Sequence, residues 1–268
     1  MKKGVKKIID NIRFSFEFGN SVFSKFFVLS VTFLFPLEHL FKIKREGPLS
    51  LHLKFKGKSF SFFVRDSSDI AVLKEVFLFG EYIIDKGVGP RTIVDLGSNV
   101  GASVVYFALC YPNAQILAVE ADPVTANFLR ENCSQFSKIS VVNYAISDID
   151  GVLPFFVHPS SRMSSSLTRR TPDQEVIEVP SVTLKSLLEK EGIAQVDLLK
   201  FDIEGAEFKA FCKPNSLSRV NYLVGEIHLD LVDVSEEGVW ECFKEFAYTK
   251  EFLSKKRFII KGSRTPLR

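Results

Sequence analysis

Two acidic residues, Asp202 and Glu204, follow a hydrophobic stretch at residues 196–201. The segment over residues 197–207 reads D-L-L-K-F-D-I-E-G-A-E and ends with a third acid, Glu207. Carboxylates at the end of a buried strand are costly unless they bind a cation, a hydroxyl group or a proton. We predict that Asp202 and Glu204 orient or deprotonate an acceptor hydroxyl group, and that Glu207 opens the next helix. Because no histidine lies within the segment, we do not predict a metal ion there.

A histidine ends the next predicted strand, in the sequence G-E-I-H at residues 225–228. Side chains alternate along a strand, so Glu226 and His228 are expected on the same face. Histidine titrates near neutral pH and often acts as a general base. We therefore predict that His228 joins Asp202 and Glu204 as a catalytic residue.

A glycine-containing turn follows a short hydrophobic run and reads D-L-G-S-N-V-G over residues 95–101. Glu120 lies 25 residues after Asp95, where an acid can accept hydrogen bonds from both hydroxyls of a ribose. The dinucleotide fingerprint G-x-G-x-x-G is absent, and the charge of Asp95 would repel a pyrophosphate. S-adenosylmethionine carries an ammonium and a sulfonium instead. The turn therefore predicts S-adenosylmethionine as the cofactor.

Strands and helices alternate from residue 91 onward. Hydrophobic runs predict strands near residues 92–96, 115–120, 139–145, 196–202 and 222–227, with helices at 102–111, 123–133 and 184–191. This alternation is typical of a doubly wound, Rossmann-like α/β fold with a mostly parallel sheet. Ligands of such folds bind at the carboxyl ends of the strands, which would bring the motifs above to one edge.

The chain is predicted to have three parts. Residues 1–64 form an N-terminal extension, in which a Phe-rich helical segment, broken at Pro36, precedes a β-hairpin. Residues 65–248 form the α/β domain, and within it residues 151–183 form a β-rich insertion on the substrate side. Residues 249–268 form a basic C-terminal segment.

The net charge of +3 is unevenly distributed. Residues 1–60 hold 12 basic and 4 acidic residues, residues 61–249 hold 16 and 27, and residues 250–268 hold 7 and 1. Basic ends predict either solvated segments or contact with an anionic membrane surface, an acidic glycan or nucleic acid. The apolar run at residues 26–37 is too short to span a bilayer, so a core-packing or membrane-surface helix is expected.

The four cysteines are Cys110, Cys133, Cys212 and Cys242, and none forms a C-x-x-C pair or a zinc-ligand spacing. We expect reduced thiols in a cytoplasmic protein, with peripheral membrane contact as an addition.

Together these segments resemble the FkbM-type family of S-adenosylmethionine-dependent methyltransferases. The resemblance covers about residues 65–230 and rests on V-D-L-G-S-N-V-G (94–101), V-E-A-D-P (119–123), A-I-S-D (145–148) and the acidic segment at 197–207. It implies a class I methyltransferase fold and O-methylation of a sugar, glycan or natural product. It also implies cofactor contacts for Asp95, Gly97, Ser98, Asn99, Gly101, Glu120, Ala121, Ser147 and Asp148, the last two near the adenine.

Two other functions stay open at this point. The basic ends would suit an RNA methyltransferase, although the N/D-P-P-Y/F tetrapeptide of amino-methylating enzymes is absent. A non-catalytic module that kept the cofactor fold is the second alternative. The sequence specifies neither the acceptor nor the oligomeric state.

Overall fold

The computed structural model describes residues 3–41, 43, 45–85, 87–158, 165–231 and 235–264, so parts of the predicted insertion and C-terminal segment lie outside the described residues. In chain order, the helices and strands are α1 (Lys3–Phe18), α2 (Val22–Phe41), β1 (Leu49–Phe55), β2 (Lys58–Val64), α3 (Ser67–Leu73), β3 (Thr92–Leu96), α4 (Ala102–Cys110), β4 (Gln115–Val119), α5 (Pro123–Cys133), β5 (Ile139–Val142), β6 (Ala145–Ile146), β7 (Gly151–Val157), β8 (Glu175–Val182), α6 (Leu184–Lys190), β9 (Val196–Phe201), α7 (Glu207–Phe211), β10 (Val220–His228), α8 (Glu236–Glu241), β11 (Phe246–Phe252) and β12 (Arg257–Arg264). The chain divides into two compact units, Met1–Glu81 and Tyr82–Arg268.

The N-terminal unit contains α1, α2, the antiparallel hairpin β1–β2 and α3, which continues into a π-helical turn at Lys74–Leu78. The predicted hairpin is confirmed, with Leu53 opposite Phe60. Phenylalanine rings fill the centre of the unit: Phe77 lies 5.2 Å from Phe55, 5.5 Å from Phe60 and 6.1 Å from Phe18 between ring centroids. These rings explain part of the high phenylalanine content of the N-terminal extension.

Two expectations for this unit are wrong. The helix does not break at Pro36, which lies inside α2. A proline removes one backbone hydrogen bond, and burial of Val31 and Phe35 on the same helix outweighs that loss. The unit also extends to Glu81 rather than to residue 64, because α3 and the turn after it belong to it.

The second unit is built on a seven-stranded sheet with the order β11-β12-β10-β9-β3-β4-β5. The strands β10, β9, β3, β4 and β5 are parallel, and β12 is antiparallel to both of its neighbours. The predicted doubly wound, mostly parallel fold is confirmed. The chain runs outward from β3 in both directions, so the switch point lies where Leu96 of β3 pairs with Phe201 of β9.

The basic C-terminal segment is part of this sheet rather than separate from it. Strand β12 pairs with β10, and its residues Phe258, Ile259 and Ile260 are buried. The prediction was based on the basic residues of the segment, whereas its apolar residues determine where it packs. The insertion is β-rich as predicted: β7 and β8 form an antiparallel pair, and β6 joins β8 in a small separate sheet.

Two of the four cysteines are joined, contrary to the expectation of reduced thiols. Cys212 and Cys242 form a disulfide with a Cα–Cα distance of 4.4 Å, whereas Cys110 and Cys133 are not disulfide-bonded. The paired residues directly follow the helices α7 and α8, which bring together positions 30 residues apart in sequence.

Candidate active site

A cavity lies at the carboxyl edge of the sheet, next to the switch point. Its lining residues are Gly97, Asn99, Glu120, Ala121, Tyr144, Ala145, Ile146, Phe155, Ser165, Leu167, Asp202, Ile203, Glu204 and Ala206. Six predicted site residues are among them: Gly97, Asn99, Glu120, Ala121, Asp202 and Glu204. The structure therefore brings the glycine turn, the acid after β4 and the acids after β9 to one cavity.

The two glycines of the turn have structural roles. Gly97 has φ +69°, and a Cβ there would lie 1.8 Å from the carbonyl oxygen of Asp202. Only glycine lets the loops after β3 and β9 approach this closely. Gly101 has φ +96° and faces α5, where a Cβ would lie 2.8 Å from Cδ1 of Leu129. Gly101 thus supports the turn from behind and does not line the cavity.

Asp95 also lies behind the cavity wall. It is fully buried, its Oδ2 accepts a hydrogen bond from Ser103 Oγ at 2.6 Å, and its Oδ1 is 3.1 Å from Nζ of Lys200. Lys200 Nζ in turn donates to the carbonyl oxygen of Gly97 at 2.8 Å. Burial opposes a charge on Lys200, but the carboxylates of Asp95 and Asp202 outweigh it and raise the lysine pKa.

This ion pair corrects the sequence argument about the cofactor. The charge of Asp95 is offset by Lys200, so Asp95 does not by itself exclude a pyrophosphate. The acids that face the cavity are Glu120, Asp202 and Glu204 instead. A lysine in the middle of a hydrophobic strand was the signal that could have revealed the pair.

Glu120 is held by the backbone at the end of β4. Its Oε2 accepts from the backbone N–H of Asn99 and its Oε1 from that of Asp122, both at 2.9 Å. Burial raises the pKa of Glu120 to about 7. Asn99 has φ +48°, and its buried Oδ1 has no hydrogen-bond partner among the described residues. Both side chains thus present oxygen acceptors next to the cavity.

Besides Asp95 and Gly101, three further predicted cofactor residues do not line the cavity: Ser98, Ser147 and Asp148. Ser98 is buried and links β3 to β4, since its Oγ donates to the carbonyl of Asp95 and accepts from the N–H of Val119. Ser147 Oγ donates to Oδ1 of Asp148, whose other oxygen is 3.6 Å from Lys213. The cavity has an apolar wall, formed by the side chains of Tyr144, Ile146, Phe155 and Leu167.

Five residues form a group that we call the His228 cluster: His228, Asp202, Glu204, Glu207 and Glu226. His228 Nδ1 is 3.0 Å from Oε1 of Glu207. Its Nε2 is 3.3 Å from Oε2 of Glu204, 3.3 Å from Oε1 of Glu226 and 3.8 Å from Oδ1 of Asp202. The imidazole is buried, while the side chains of Asp202 and Glu204 are 27% and 24% exposed.

The backbone around these acids differs from the prediction. Strand β9 ends at Phe201, so Asp202 and Glu204 lie on the turn after it. Glu204 has φ +54°, a left-handed conformation that costs about 1–2 kcal/mol for a residue with a side chain. Strain of this kind is typical of functional sites. Glu207 does open α7 as predicted, but it is also buried against His228, a contact that the sequence did not indicate.

The charges of the cluster keep His228 protonated. Burial opposes the charged imidazole, but the hydrogen bond to Glu207 and the charges of Glu207, Asp202 and Glu204 raise the pKa of His228 to about 10. Burial and the charge of Asp202 raise the pKa of Glu226 to about 7 and also raise that of Glu204. An imidazolium cannot accept a proton, so the geometry favours a carboxylate over His228 as the base.

Three further side chains reach the cluster from elsewhere in the chain. Arg170 of the insertion contacts Oε2 of Glu204, and Nη1 of Arg257 lies 4.0 Å from Oε1 of Glu226. Tyr82 donates its hydroxyl to Oδ2 of Asp202 at 3.2 Å. None of these three residues was predicted from sequence to lie in the site.

A metal ion was not predicted because the segment at 197–207 contains no histidine, and the structure removes that reason. His228 does lie in the acid cluster, and one ligand atom each of Asp202, Glu204 and His228 lie within 4.8 Å of one another, close enough to hold a metal ion. Arg170 already supplies positive charge to Glu204, Arg257 to Glu226, and the protonated imidazole to the whole cluster.

Comparison with known proteins gives a family match and several relatives. The family model described as "Methyltransferase FkbM domain" matches residues 95–259. The chain is 27% identical to "Methyltransferase sdnD" of Sordaria araneosa, in a match covering 52% of this chain and 66% of sdnD. It is 29% identical to "2-O-methyltransferase NoeI" of Sinorhizobium fredii, covering 43% of this chain and 54% of NoeI. It is 27% identical to "31-O-demethyl-FK506 methyltransferase FkbM" of Streptomyces tacrolimicus, covering 57% of this chain and 74% of FkbM.

Solved structures are more distant. Aeropyrum pernix fibrillarin, crystallised with S-adenosylmethionine, is 13% identical and superposes with a TM-score of 0.46, covering 82% of this chain and 84% of its own.

Proposed function

Because the chain belongs to the FkbM methyltransferase domain family, we propose that it transfers a methyl group from S-adenosylmethionine to a hydroxyl group of a sugar, a glycan or another natural product. The observation that carries this proposal is one cavity whose wall contains both Glu120 and the pair Asp202 and Glu204. Two relatives support oxygen as the acceptor atom, because their names describe a 2-O-methyltransferase and a 31-O-demethyl-FK506 methyltransferase.

The charge of the cavity fits the cofactor. Among the described residues that line it, Glu120, Asp202 and Glu204 are acidic and none is basic. Such a wall suits a ligand with an ammonium and a sulfonium and disfavours a pyrophosphate. When bound, S-adenosylmethionine supplies an electrophilic methyl group.

The cavity also offers contacts for the neutral parts of the cofactor. Each carboxylate oxygen of Glu120 uses one acceptor site on a backbone N–H and retains capacity for a ribose hydroxyl. The unpartnered Oδ1 of Asn99 provides a further acceptor next to it. The apolar wall with Tyr144 and Phe155 suits the faces of an adenine ring. We propose Gly97, Asn99, Glu120 and Ala121 as cofactor residues, with Asp95, Ser98 and Gly101 supporting them.

Asp202 is the proposed general base. Its Oδ2 accepts from Tyr82, whereas its Oδ1 is buried and has no hydrogen-bond partner among the described residues. The carboxylate lines the cavity and thus has capacity to accept the proton of an acceptor hydroxyl group there. Glu204, which Arg170 holds in place, orients the hydroxyl. His228 does not line the cavity, and we assign it to positioning the two carboxylates from behind.

The proposal is tested in two stages. Calorimetric titration of the full chain with S-adenosylmethionine and with NADH should give binding of the former only. Glu120→Gln should weaken that binding about tenfold, because a charged hydrogen-bond acceptor is lost. Glu131→Gln, at an exposed position on α5, serves as the matched control and should leave binding unchanged.

The second stage follows an isotopic methyl label from the cofactor into a panel of free sugars, lipid-linked glycans, hydroxylated natural products and RNA. Label in a hydroxylated acceptor, with product mass showing one added methyl group, supports the proposal. Label in RNA alone would contradict it. Binding of the cofactor without transfer to any acceptor would indicate a non-catalytic module.

A further inference from the structure

Helix α1 of the N-terminal unit carries apolar side chains on two faces. One face contributes Phe14 and Phe18 to the core of the unit. The other face is exposed to solvent, and its apolar side chains are 43–48% exposed: Val5, Ile8, Ile9, Ile12 and Phe16. These positions follow the i, i+3, i+4, i+7 spacing of a single helix face. The second face of α1 therefore does not contribute to the core of the N-terminal unit.

Helix α2 has the same arrangement. Val28, Val31 and Phe35 point into the core. The opposite face is apolar and 39–81% exposed along the whole helix, through Val22, Phe23, Phe26, Phe33, Leu34, Leu37, Leu40 and Phe41. Their spacing again defines one helix face.

The two exposed faces are continuous. The rings of Phe16 on α1 and Phe26 on α2 are in edge-on contact, with centroids 5.6 Å apart. We call the joined surface the apolar stripe. In the described part of the chain, 14 of the 22 exposed large hydrophobic side chains lie between Val5 and Ile43. A patch of this extent marks an interaction surface rather than ordinary surface scatter.

Positive charge accompanies the stripe. Lys6 and Lys7 on α1 are exposed, and the side chain of Arg13 is 57% exposed. Residues 1–60 carry 12 basic and 4 acidic residues, so this part of the chain has a net charge of +8. An apolar helix face next to basic residues is the pattern of helices that lie in the interface of an anionic membrane.

We propose that the apolar stripe docks the protein on the surface of an anionic lipid bilayer, with α1 and α2 lying in the plane of the interface. None of the helices in the described part of the chain has the length and hydropathy of a membrane span. A second copy of the chain is a poorer occupant, because it would bring two strongly positive segments together, whereas anionic headgroups neutralise them. This inference does not depend on methyl transfer.

The test is flotation of the full-length protein with vesicles of phosphatidylcholine alone or mixed with phosphatidylglycerol. The wild type should float with the anionic vesicles, and high salt should weaken the binding. Phe23→Gln combined with Leu37→Gln should reduce binding at least about tenfold, because two apolar side chains no longer enter the interface. Both residues are exposed, by 81% and 49%, so the fold should tolerate the change.

Lys6→Gln combined with Lys7→Gln should reduce binding to anionic vesicles about tenfold.

The matched control is Val152→Gln combined with Leu253→Gln, at positions of the second unit that are 61% and 48% exposed. It should float like the wild type. Absence of wild-type flotation, or equal loss in the control, would overturn the proposal. So would a wild-type dimer that Phe23→Gln with Leu37→Gln converts to a monomer in solution without any vesicle binding, because the stripe would then be a homodimer interface.

Discussion

Two groups of ionised side chains lie at the same edge of the sheet and differ in their ratio of acidic to basic groups. Asp95 and Lys200 form a one-to-one pair whose side chains are 0% and 2% exposed. In the His228 cluster, four carboxylates surround one imidazole. Two of those carboxylates, on Asp202 and Glu204, reach the cavity. The balanced pair is sealed inside the protein, whereas the cluster has surplus acid in contact with a cavity.

The difference separates acids that build the site from acids that can act in it. Asp95 is fully buried, accepts a hydrogen bond from Ser103 and is ion-paired with Lys200, so it fixes the position of the turn and does not reach the cavity. Asp202 keeps one oxygen without a hydrogen-bond partner among the described residues. Asp95 also has one such oxygen, but its side chain is 0% exposed, whereas that of Asp202 is 27% exposed and lines the cavity. Access to the cavity, rather than the mere presence of a carboxylate, distinguishes the two.

The largest expected effect is on activity, from Asp202→Asn. The amide cannot accept a proton, so kcat should fall by about 10²–10⁴-fold while the melting temperature and cofactor binding stay close to wild type. Asp197→Asn is the matched control on the same strand, because Asp197 lies at the amino end and accepts from the backbone N–H groups of Arg91 and Thr92. Methyl transfer at a wild-type rate by Asp202→Asn would show that Asp202 is not the base.

Lys200→Met tests the buried pair of Asp95 and Lys200. It leaves the carboxylate of Asp95 buried without its partner, which should lower the free energy of unfolding by about 3–5 kcal/mol. Urea unfolding measures the change. Asp95→Asn combined with Lys200→Met should recover much of the loss, because no unpaired charge remains. A loss below about 1 kcal/mol in the single variant would mean that the pair is not stabilising in this way.

The comparison also shows what the sequence could reveal. Four of the cavity residues were predicted because each follows a strand of a parallel sheet: Gly97, Glu120, Asp202 and Glu204. The carboxyl ends of parallel strands lie at one edge of the sheet, whatever the conformation of the loops. The five parallel strands were predictable for the same reason, since a hydrophobic run between helices leaves few alternatives.

The partners of these residues were not predictable from local pattern. Lys200 is paired with a residue 105 positions away, and Arg170 reaches Glu204 from the insertion. The first contact depends on the register between β3 and β9, in which Asp95 lies opposite Lys200, and the second on how the insertion packs. Local spacing encodes neither. The protonation of His228 is a further case, because it results from the acids of residues 202–207, which the fold brings against the histidine at the end of β10.

His228 should make stability depend on pH. Its pKa rises from 6.5 to about 10 in the folded protein, so its stabilising contribution is complete below pH 6.5 and is lost as the pH approaches 10. The free energy of unfolding should therefore fall by about 2 kcal/mol between pH 7.5 and pH 9.5. His228→Gln should remove this slope, whereas His52→Gln, at an exposed position of the hairpin, should retain it. An imidazole of His228 that titrates below pH 8 by NMR would contradict the assignment.

The smallest expected effect is that of a chelator. Arg170, Arg257 and the protonated His228 already balance most of the charge of four carboxylates, so EDTA should change kcat/KM by less than about twofold. A metal ion at Asp202, Glu204 and His228 would need the Nε2 lone pair and would therefore release the proton of the imidazole. The two states are thus mutually exclusive, and one titration distinguishes them. If added Mg²⁺ or Mn²⁺ restores activity lost to EDTA and shifts the NMR signal of His228 to the neutral form, the cluster is a metal site, and the imidazolium is only its metal-free state.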